Sequence, residues 1–175
     1  MTIRRILFGS IILIASLKAE VIVNNIIPGG QAAQVDSRDW ATPFKPAAAY
    51  ALTSIALPLA ATEASTAITV SLLADANGQP GEPIEKFQIS VSGKSTVYTI
   101  ASVRRPHLNT NTQYWIVVSP EKSSNLSWST GSGSSNIAYP QAFREHGSNW
   151  SSVWTPGRPG IAISGDPINP SSTRI

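Results

Sequence analysis

Oxygen-bearing side chains surround one turn of the sequence that is rich in glycine and proline. Asp75, Asn77 and Glu82 lie within the segment 75–82, DANGQPGE. Clustered carboxylate, amide and backbone oxygens are the ligands that Ca²⁺ prefers. The segment lacks the dense acidic spacing of a calcium loop, however. Asn-Gly after a β-branched run is typical of a tight hairpin whose Asp and Asn side chains bond their own backbone. We therefore predict a turn and no metal site.

A second group of candidate residues is aromatic and lies late in the chain. Flat aromatic rings on a β-sandwich can stack on the C–H faces of sugars, and neighbouring amides can bind sugar hydroxyls. The candidate ligand-binding residues are Trp128, Tyr139, Asn149, Trp150 and Trp154. The alternative is packing in the core or at a sheet edge, since tryptophan is highly buried on average. We assign Trp115, in the most hydrophobic segment, to the core.

Groups that could transfer protons are few. Glu145 and His146 are neighbours in a polar turn and could act as acid and base, whereas His107 is the only other histidine. Neither a nucleophile elbow nor a paired-carboxylate motif accompanies them. The chain has no cysteine, which excludes disulfides, thiolate metal sites and cysteine nucleophiles. We predict a non-enzyme with no catalytic residue, no metal and no cofactor.

Short β-branched segments, separated by turn residues, must position these side chains. Charged residues make up only 13% of the chain, too few for the polar faces of a helical protein. We predict an all-β, antiparallel β-sandwich of the jelly-roll kind. Residues 92–94 are expected to form a turn between two of its strands. The predicted strands cover residues 21–27, 31–35, 50–59, 66–74, 84–91, 95–103, 113–119, 126–130, 137–143, 149–154 and 160–164.

The first 19 residues have the pattern of a secretory signal peptide. Arg4 and Arg5 precede an apolar stretch over 6–17, which is shorter than the ~20 residues of a transmembrane helix. We predict cleavage after Ala19, although Leu17 stands where a small residue is preferred; an uncleaved anchor is the alternative. We expect an N-terminal strand or extension over 20–33, the sandwich domain over 34–165 and a flexible tail over 166–175.

The net charge of +3 comes from the leader. Arg4, Arg5 and Lys18 account for three of the 13 basic residues, and no acidic residue precedes Glu20, so the remaining chain carries as many basic as acidic residues. A formally neutral domain has no electrostatic footprint for nucleic acid or anionic lipid. We therefore predict no nucleic-acid partner.

Several segments together resemble a known family. They are WATPF at 40–44, YALTSIAL at 50–57, VSLLADANGQPG at 70–81 and LNTNTQYWIVV at 108–118, followed by Trp150 or Trp154. In these motifs the chain is similar to the bacterial choice-of-anchor R domain. The resemblance implies an exported β-sandwich for which no family activity is settled. After Ser164 neither a sortase-type motif nor a Pro-Glu-Pro segment follows, so we expect release rather than covalent anchoring.

The function expected from the sequence is non-catalytic binding outside the cell. We expect a secreted or extracellular module, with the periplasm as an alternative, that binds a glycan or another extracellular polymer or protein. Glycan is the leading expectation. The first alternative is a structural component of an envelope or matrix that self-associates through open sheet edges. The second is a hydrolase with a dispersed site. We expect no stable membrane insertion after cleavage of the leader.

Overall fold

The computed structural model describes residues 18–27, 30, 32–35, 37–121, 125–131 and 138–168. These ranges contain eleven β-strands and no helix, and hence no helix that is long and apolar enough to cross a membrane. The strands are β1 (Glu20–Asn24), β2 (Ala32–Gln34), β3 (Asp39–Phe44), β4 (Tyr50–Ala76), β5 (Gln79–Ala101), β6 (His107–Leu108), β7 (Tyr114–Pro120), β8 (Leu126–Ser129), β9 (Ala138–Arg144), β10 (Ser151–Pro156) and β11 (Ala162–Pro167).

Strand β4 is the centre of the sheet. One edge of its 27 residues pairs with β5 and then β6, and the other edge pairs in turn with β11, β8 and β7. Register irregularities between Leu59 and Thr66 interrupt its pairing with β5, and such bulges bend a strand. They divide β4 into an N-terminal arm, residues 50–61, and a C-terminal arm, residues 66–76. The two strands predicted over 50–59 and 66–74 are these two arms of one strand.

All pairings in the sheet are antiparallel. The main order is β1-β11-β4-β7-β3-β9-β10, and β2 and β8 pair beside the middle of β4. The sheet curls into a half-barrel around the core, an arrangement compatible with a jelly-roll-like sandwich. The predicted all-β, antiparallel fold class is therefore confirmed.

Apolar side chains pack on both sides of this sheet. Because side chains alternate along a strand, Ile116 of β7 enters the inner core, whereas its neighbours Trp115 and Val117 join a smaller outer cluster. The inner core holds the large apolar side chains of β4, including Leu52, Ile55, Leu57, Leu59, Ile68, Val70 and Leu72. The outer cluster consists of Ala41, Leu73, Trp115, Val117 and Ala142, with Trp150 packed against it.

The predicted turn at residues 92–94 is wrong. Strand β5 continues through it, and both predicted strands on either side pair with β4 rather than with each other. Gly93 has a φ of +70° and lies opposite Ala61 at a register irregularity. Glycine adopts this left-handed conformation without a Cβ clash, so the residue serves as a bulge within a long strand. Residues 39–44 also form a strand, although Pro43 lies inside it.

Both ends of the described chain join the sheet through β11. Strand β1 begins at Glu20, directly after the predicted cleavage site, and pairs with β11. Strand β11 continues through Asp166 and Pro167, the first residues of the predicted tail, which pair with Ala51 and Tyr50. The predicted leader up to residue 17 and the tail from residue 169 lie outside the described residues.

Candidate functional site

The hairpin between β4 and β5 has the predicted tight turn. Asn77 and Gly78 have φ angles of +56° and +81°, as a turn with two left-handed central residues requires. The Gly78 N–H donates to Oδ2 of Asp75 over 3.0 Å. In the part of the chain that is described, no three Asp, Glu or His side chains are grouped to hold a metal ion. Residues 77–78 thus form the turn, and the rest of the segment 75–82 belongs to the two strands that the turn joins.

Asp75 also ties this hairpin to the neighbouring strand. Its Oδ1 accepts hydrogen bonds from Gln113 Nε2 at 2.7 Å and from the Trp115 indole N–H at 2.8 Å. Burial by itself raises the pKa of Asp75, but these donors and the Gly78 N–H outweigh burial and hold the pKa below its ordinary value. Both carboxylate oxygens are therefore engaged in positioning the turn and β7.

Trp128 does not belong to an exposed aromatic surface. Its side chain is only 2% exposed within the inner core, and its indole N–H donates to the Gly160 carbonyl over 2.9 Å. A sugar cannot reach a ring in this position, so the structure removes Trp128 from the candidate ligand-binding residues. Leu126 lies two residues earlier and is equally buried. The alternation of two apolar residues on β8 was the sequence signal for a core position.

Tyr139 and Trp154 lie on the paired strands β9 and β10. Tyr139 is opposite Thr155 and Trp154 is opposite Pro140 in the backbone register. Their side chains lie outside what the structure describes. The backbone register therefore places the two residues at the same end of one hairpin.

Trp150 and Asn149 precede β10 at the opposite end of that hairpin. Asn149 is exposed, and Trp150 is half-buried against the outer cluster. The Arg144 guanidinium carbon lies 4.4 Å from the centre of the Trp150 ring, a cation–π contact. A sugar would have to displace Arg144 to stack on that part of the indole.

A buried carboxylate underlies this contact. Asp39 is 3% exposed. Its Oδ2 accepts a hydrogen bond from Arg144 Nε at 2.8 Å, and its Oδ1 lies 2.8 Å from Nδ1 of His146. We call Asp39, Arg144, His146 and Trp150 the Trp150 cluster. Oδ1 of Asp39 has no hydrogen-bond partner among the described residues, so this close contact is not aligned as a hydrogen bond. A carboxylate hydrogen-bonded to Nδ1 orients an imidazole in acid–base sites. Among the described residues, however, no serine or threonine hydroxyl is hydrogen-bonded to His146.

A second buried carboxylate, Glu85, was not singled out from the sequence. It is 4% exposed. One oxygen accepts the backbone N–H groups of Val103 and Arg104 at 2.8 and 2.9 Å, and the other accepts the Ser102 hydroxyl at 2.7 Å. Burial alone raises the pKa of Glu85, but these three donors outweigh it and hold the pKa below the ordinary value for glutamate. The carboxylate joins β5 to the turn that follows the strand.

Strand β5 has an open edge. It is 23 residues long, and in the described part of the chain it pairs with β4 alone. Over residues 86–91 exposed side chains alternate with the half-buried or buried side chains of Phe87, Ile89 and Val91, which pack on the inner core. An edge of this kind offers backbone N–H and C=O groups to another strand.

Two comparisons of the sequence with known proteins found no match. No protein-family model matches the sequence. No curated protein is similar to it. The resemblance to the choice-of-anchor R domain therefore stays a prediction that depends on the motifs themselves.

Proposed function

We propose that this chain is an exported, non-catalytic module that binds an extended segment of another protein by adding that segment to the open edge of β5. The observation that carries the proposal is the edge itself. Strand addition uses main-chain hydrogen bonds for affinity and the alternating side chains for specificity. Residues 86–91 supply both, because their pattern continues the inner core on one face and meets solvent on the other.

Features along β5 define where a partner strand would lie. Pro80 and Pro83 stand near the start of the strand, and the Gly93 bulge follows the regular stretch. Proline and bulges are devices that prevent edge pairing. The stretch over 86–91 lies between them, which favours a short partner segment with apolar residues at alternate positions.

The other expected functions have less geometric support. Glycan stacking was assigned to aromatic residues of which Trp128 is buried and Trp150 already carries a guanidinium. Self-association would place β5 against a second copy of itself. Lys86 and Lys94 are exposed on this strand. In an antiparallel pair of identical strands centred on Ser90, Lys86 of each copy would lie opposite Lys94 of the other, and like charges directly opposite each other are unfavourable.

Amide hydrogen exchange of the protein, measured with and without a bound peptide, tests the proposal. A library of random seven-residue peptides is displayed on a carrier, selected on the purified protein, and the enriched peptides are synthesised. Neighbouring N–H groups of a strand point to opposite edges. We therefore expect about half of the amides over 86–91 to gain protection, those that face away from β4, whereas amides of β4 stay as protected as before.

The other outcomes either contradict strand addition or support a different function. Peptides that bind without slowing any amide of β5, or the absence of any enriched peptide, would contradict strand addition. Protection of 86–91 that rises with protein concentration alone, together with oligomers in size-exclusion chromatography, would support self-association instead. Retention of a glycan on an array, lost in Trp150→Ala, would support sugar binding.

A further inference from the structure

A depression of about 350 Å³ lies at one end of the open edge. It is lined by residues 83–87 of β5 and by Val103 and Arg104 of the following turn. Its lining combines two chemistries. Ile84, Phe87 and Val103 are apolar, whereas Lys86 and Arg104 are basic.

Val103 is the most exposed of the large apolar side chains in the described chain, at 87%. It stands on a turn whose backbone is fixed, because the Glu85 carboxylate accepts its N–H and that of Arg104. Val103 carries no polar group that would have to lose its water when an apolar partner covers the side chain. The depression therefore suits an apolar side chain.

The turn also limits how far an added strand can extend. Arg104 Nη1 donates to the Ile84 carbonyl over 3.2 Å, so this acceptor on β5 already has a partner. The Arg104 side chain therefore lies at the edge beside Ile84, which favours a partner strand that lies along 86–91 and ends there. Every pairing of the described sheet is antiparallel, and an antiparallel strand would bring its C-terminal end to this point.

The charges around the depression favour a carboxylate at that end. Lys86 and Arg104 are positive and exposed. Glu85 is the acidic side chain of the lining, and both of its oxygens already accept hydrogen bonds from the turn. A guanidinium has five N–H donors and binds carboxylates with two parallel bonds. The bond to Ile84 occupies one of the five.

From this geometry we infer that the depression recognises the C-terminus of a partner protein: its final carboxylate at Lys86 and Arg104, and its last apolar side chain among Ile84, Phe87 and Val103. This inference rests on the proposed strand addition at β5, and it specifies the direction and the end of the added segment. A second copy of this chain is the less favoured occupant, because an antiparallel pairing centred on Ser90 would place Lys86 of each copy opposite Lys94 of the other.

Two peptide libraries of equal length test the inference, one displayed with free C-termini and the other embedded between flanking residues. Enriched sequences are then synthesised with a free or an amidated C-terminus, and their dissociation constants are measured by fluorescence anisotropy. We expect enrichment from the free-end library of sequences that end in an apolar residue, and at least tenfold weaker binding after amidation.

Matched variants locate the contact. Arg104→Ala and Val103→Asp should each weaken the free-acid peptide at least tenfold, and Arg104→Ala should also remove most of the difference between free and amidated peptides. Lys94→Ala, an exposed lysine of the same strand outside the depression, should leave binding within twofold. Circular dichroism confirms that each variant is folded.

The outcomes separate this inference from the proposed function. Equal binding of free and amidated peptides, with protection of amides over 86–91, would overturn recognition of a C-terminus and leave strand addition in place. Tight binding of a free-acid peptide with no protection of β5 would overturn both.

Discussion

The Trp150 cluster and the open edge of β5 lie at the surface of the same sheet, yet their polar groups are used differently. In the cluster, the carboxylate of Asp39 lies between Arg144 and His146, and Arg144 covers the indole. Along residues 86–91, the outward backbone groups have no strand partner in the described chain. Aromatic composition alone indicated the cluster as a site, whereas unused hydrogen-bonding groups indicate the edge. Polar groups that already have partners stabilise the fold, and those that lack partners are available for binding.

The largest expected effect concerns the two tryptophans. Trp128→Ala should lower the free energy of unfolding by about 3–5 kcal/mol, the range for emptying a large core position. Trp150→Ala should cost less, about 1–2 kcal/mol, because the ring is half-buried and loses one cation–π contact. Urea denaturation followed by fluorescence measures both values. Trp128→Phe is the control that keeps an aromatic ring in place; it removes the N–H donor to Gly160 together with part of the ring volume, and should cost less than Trp128→Ala.

The same pair of variants can break the comparison. If Trp150→Ala left stability unchanged and abolished retention of a sugar, the cluster would be a binding surface and not a structural one. An equal loss of stability in both variants would show that the cluster is as much a part of the core as Trp128.

A smaller effect is expected at Glu85, whose carboxylate ties the edge strand to the turn that follows it. Glu85→Ala should cost about 2–3 kcal/mol at neutral pH, because buried N–H groups lose a charged acceptor. The pKa of Glu85 is lowered in the folded protein. Its contribution to stability is therefore complete above the unfolded pKa of about 4.5 and is lost as pH falls through the lower folded value.

Denaturation curves from about pH 6 down to about pH 3 measure this linkage. The wild-type protein should lose stability toward acid more steeply than Glu85→Ala, while Asp75, whose pKa is also lowered, contributes the same slope to both. Glu82→Ala, an exposed carboxylate nearby, should behave like the wild type. Parallel acid profiles for wild type and Glu85→Ala would mean that the hydrogen bonds between Glu85 and the turn contribute little to the free energy of unfolding.

The smallest effects are expected at the hairpin. Gly78→Val should cost about 1–3 kcal/mol, because valine is strained at a positive φ. Asp75→Ala should cost about 1–2 kcal/mol, since a partly exposed carboxylate loses three hydrogen bonds that water replaces in part. Calcium should leave the melting temperature unchanged. If the turn bound calcium, a calcium concentration 100 times the dissociation constant would raise the free energy of unfolding by about 2.7 kcal/mol. Stabilisation by calcium that disappears in Asp75→Ala would make this turn an ion site.

Local sequence signals predicted part of this architecture. Asn77 and Gly78 determine their turn through backbone preferences of two residues, and the apolar segment of β7 is evident from composition. The sequence around Gly93 also predicts a hairpin turn, but β5 pairs with β4 on both sides of Gly93, which makes the residue a bulge. Pro43 argues against a strand, although β3 forms around it between β7 and β9.

The contacts on which the proposed function depends could not be predicted from local patterns. Glu85 meets Ser102, Val103 and Arg104 because β5 follows the bent β4 and its two halves approach each other. No spacing of residues encodes that approach. The open edge is likewise a property of the whole sheet, because it depends on which strands find partners elsewhere.

The place of β11 between β1 and β4 has a consequence for the order in which the molecule assembles. In the described chain β1 pairs only with β11, so Glu20 cannot pair until Gly165 has been synthesised. At synthesis rates of about 5–20 residues per second, the interval between the synthesis of these two residues is on the order of ten seconds. During that time β1 and the neighbouring edge of β4 have no strand between them, and closing so distant a contact is slow. The finished sheet therefore requires the complete β11. A chain truncated before it would leave β1 unpaired and one edge of the N-terminal arm of β4 open to other chains.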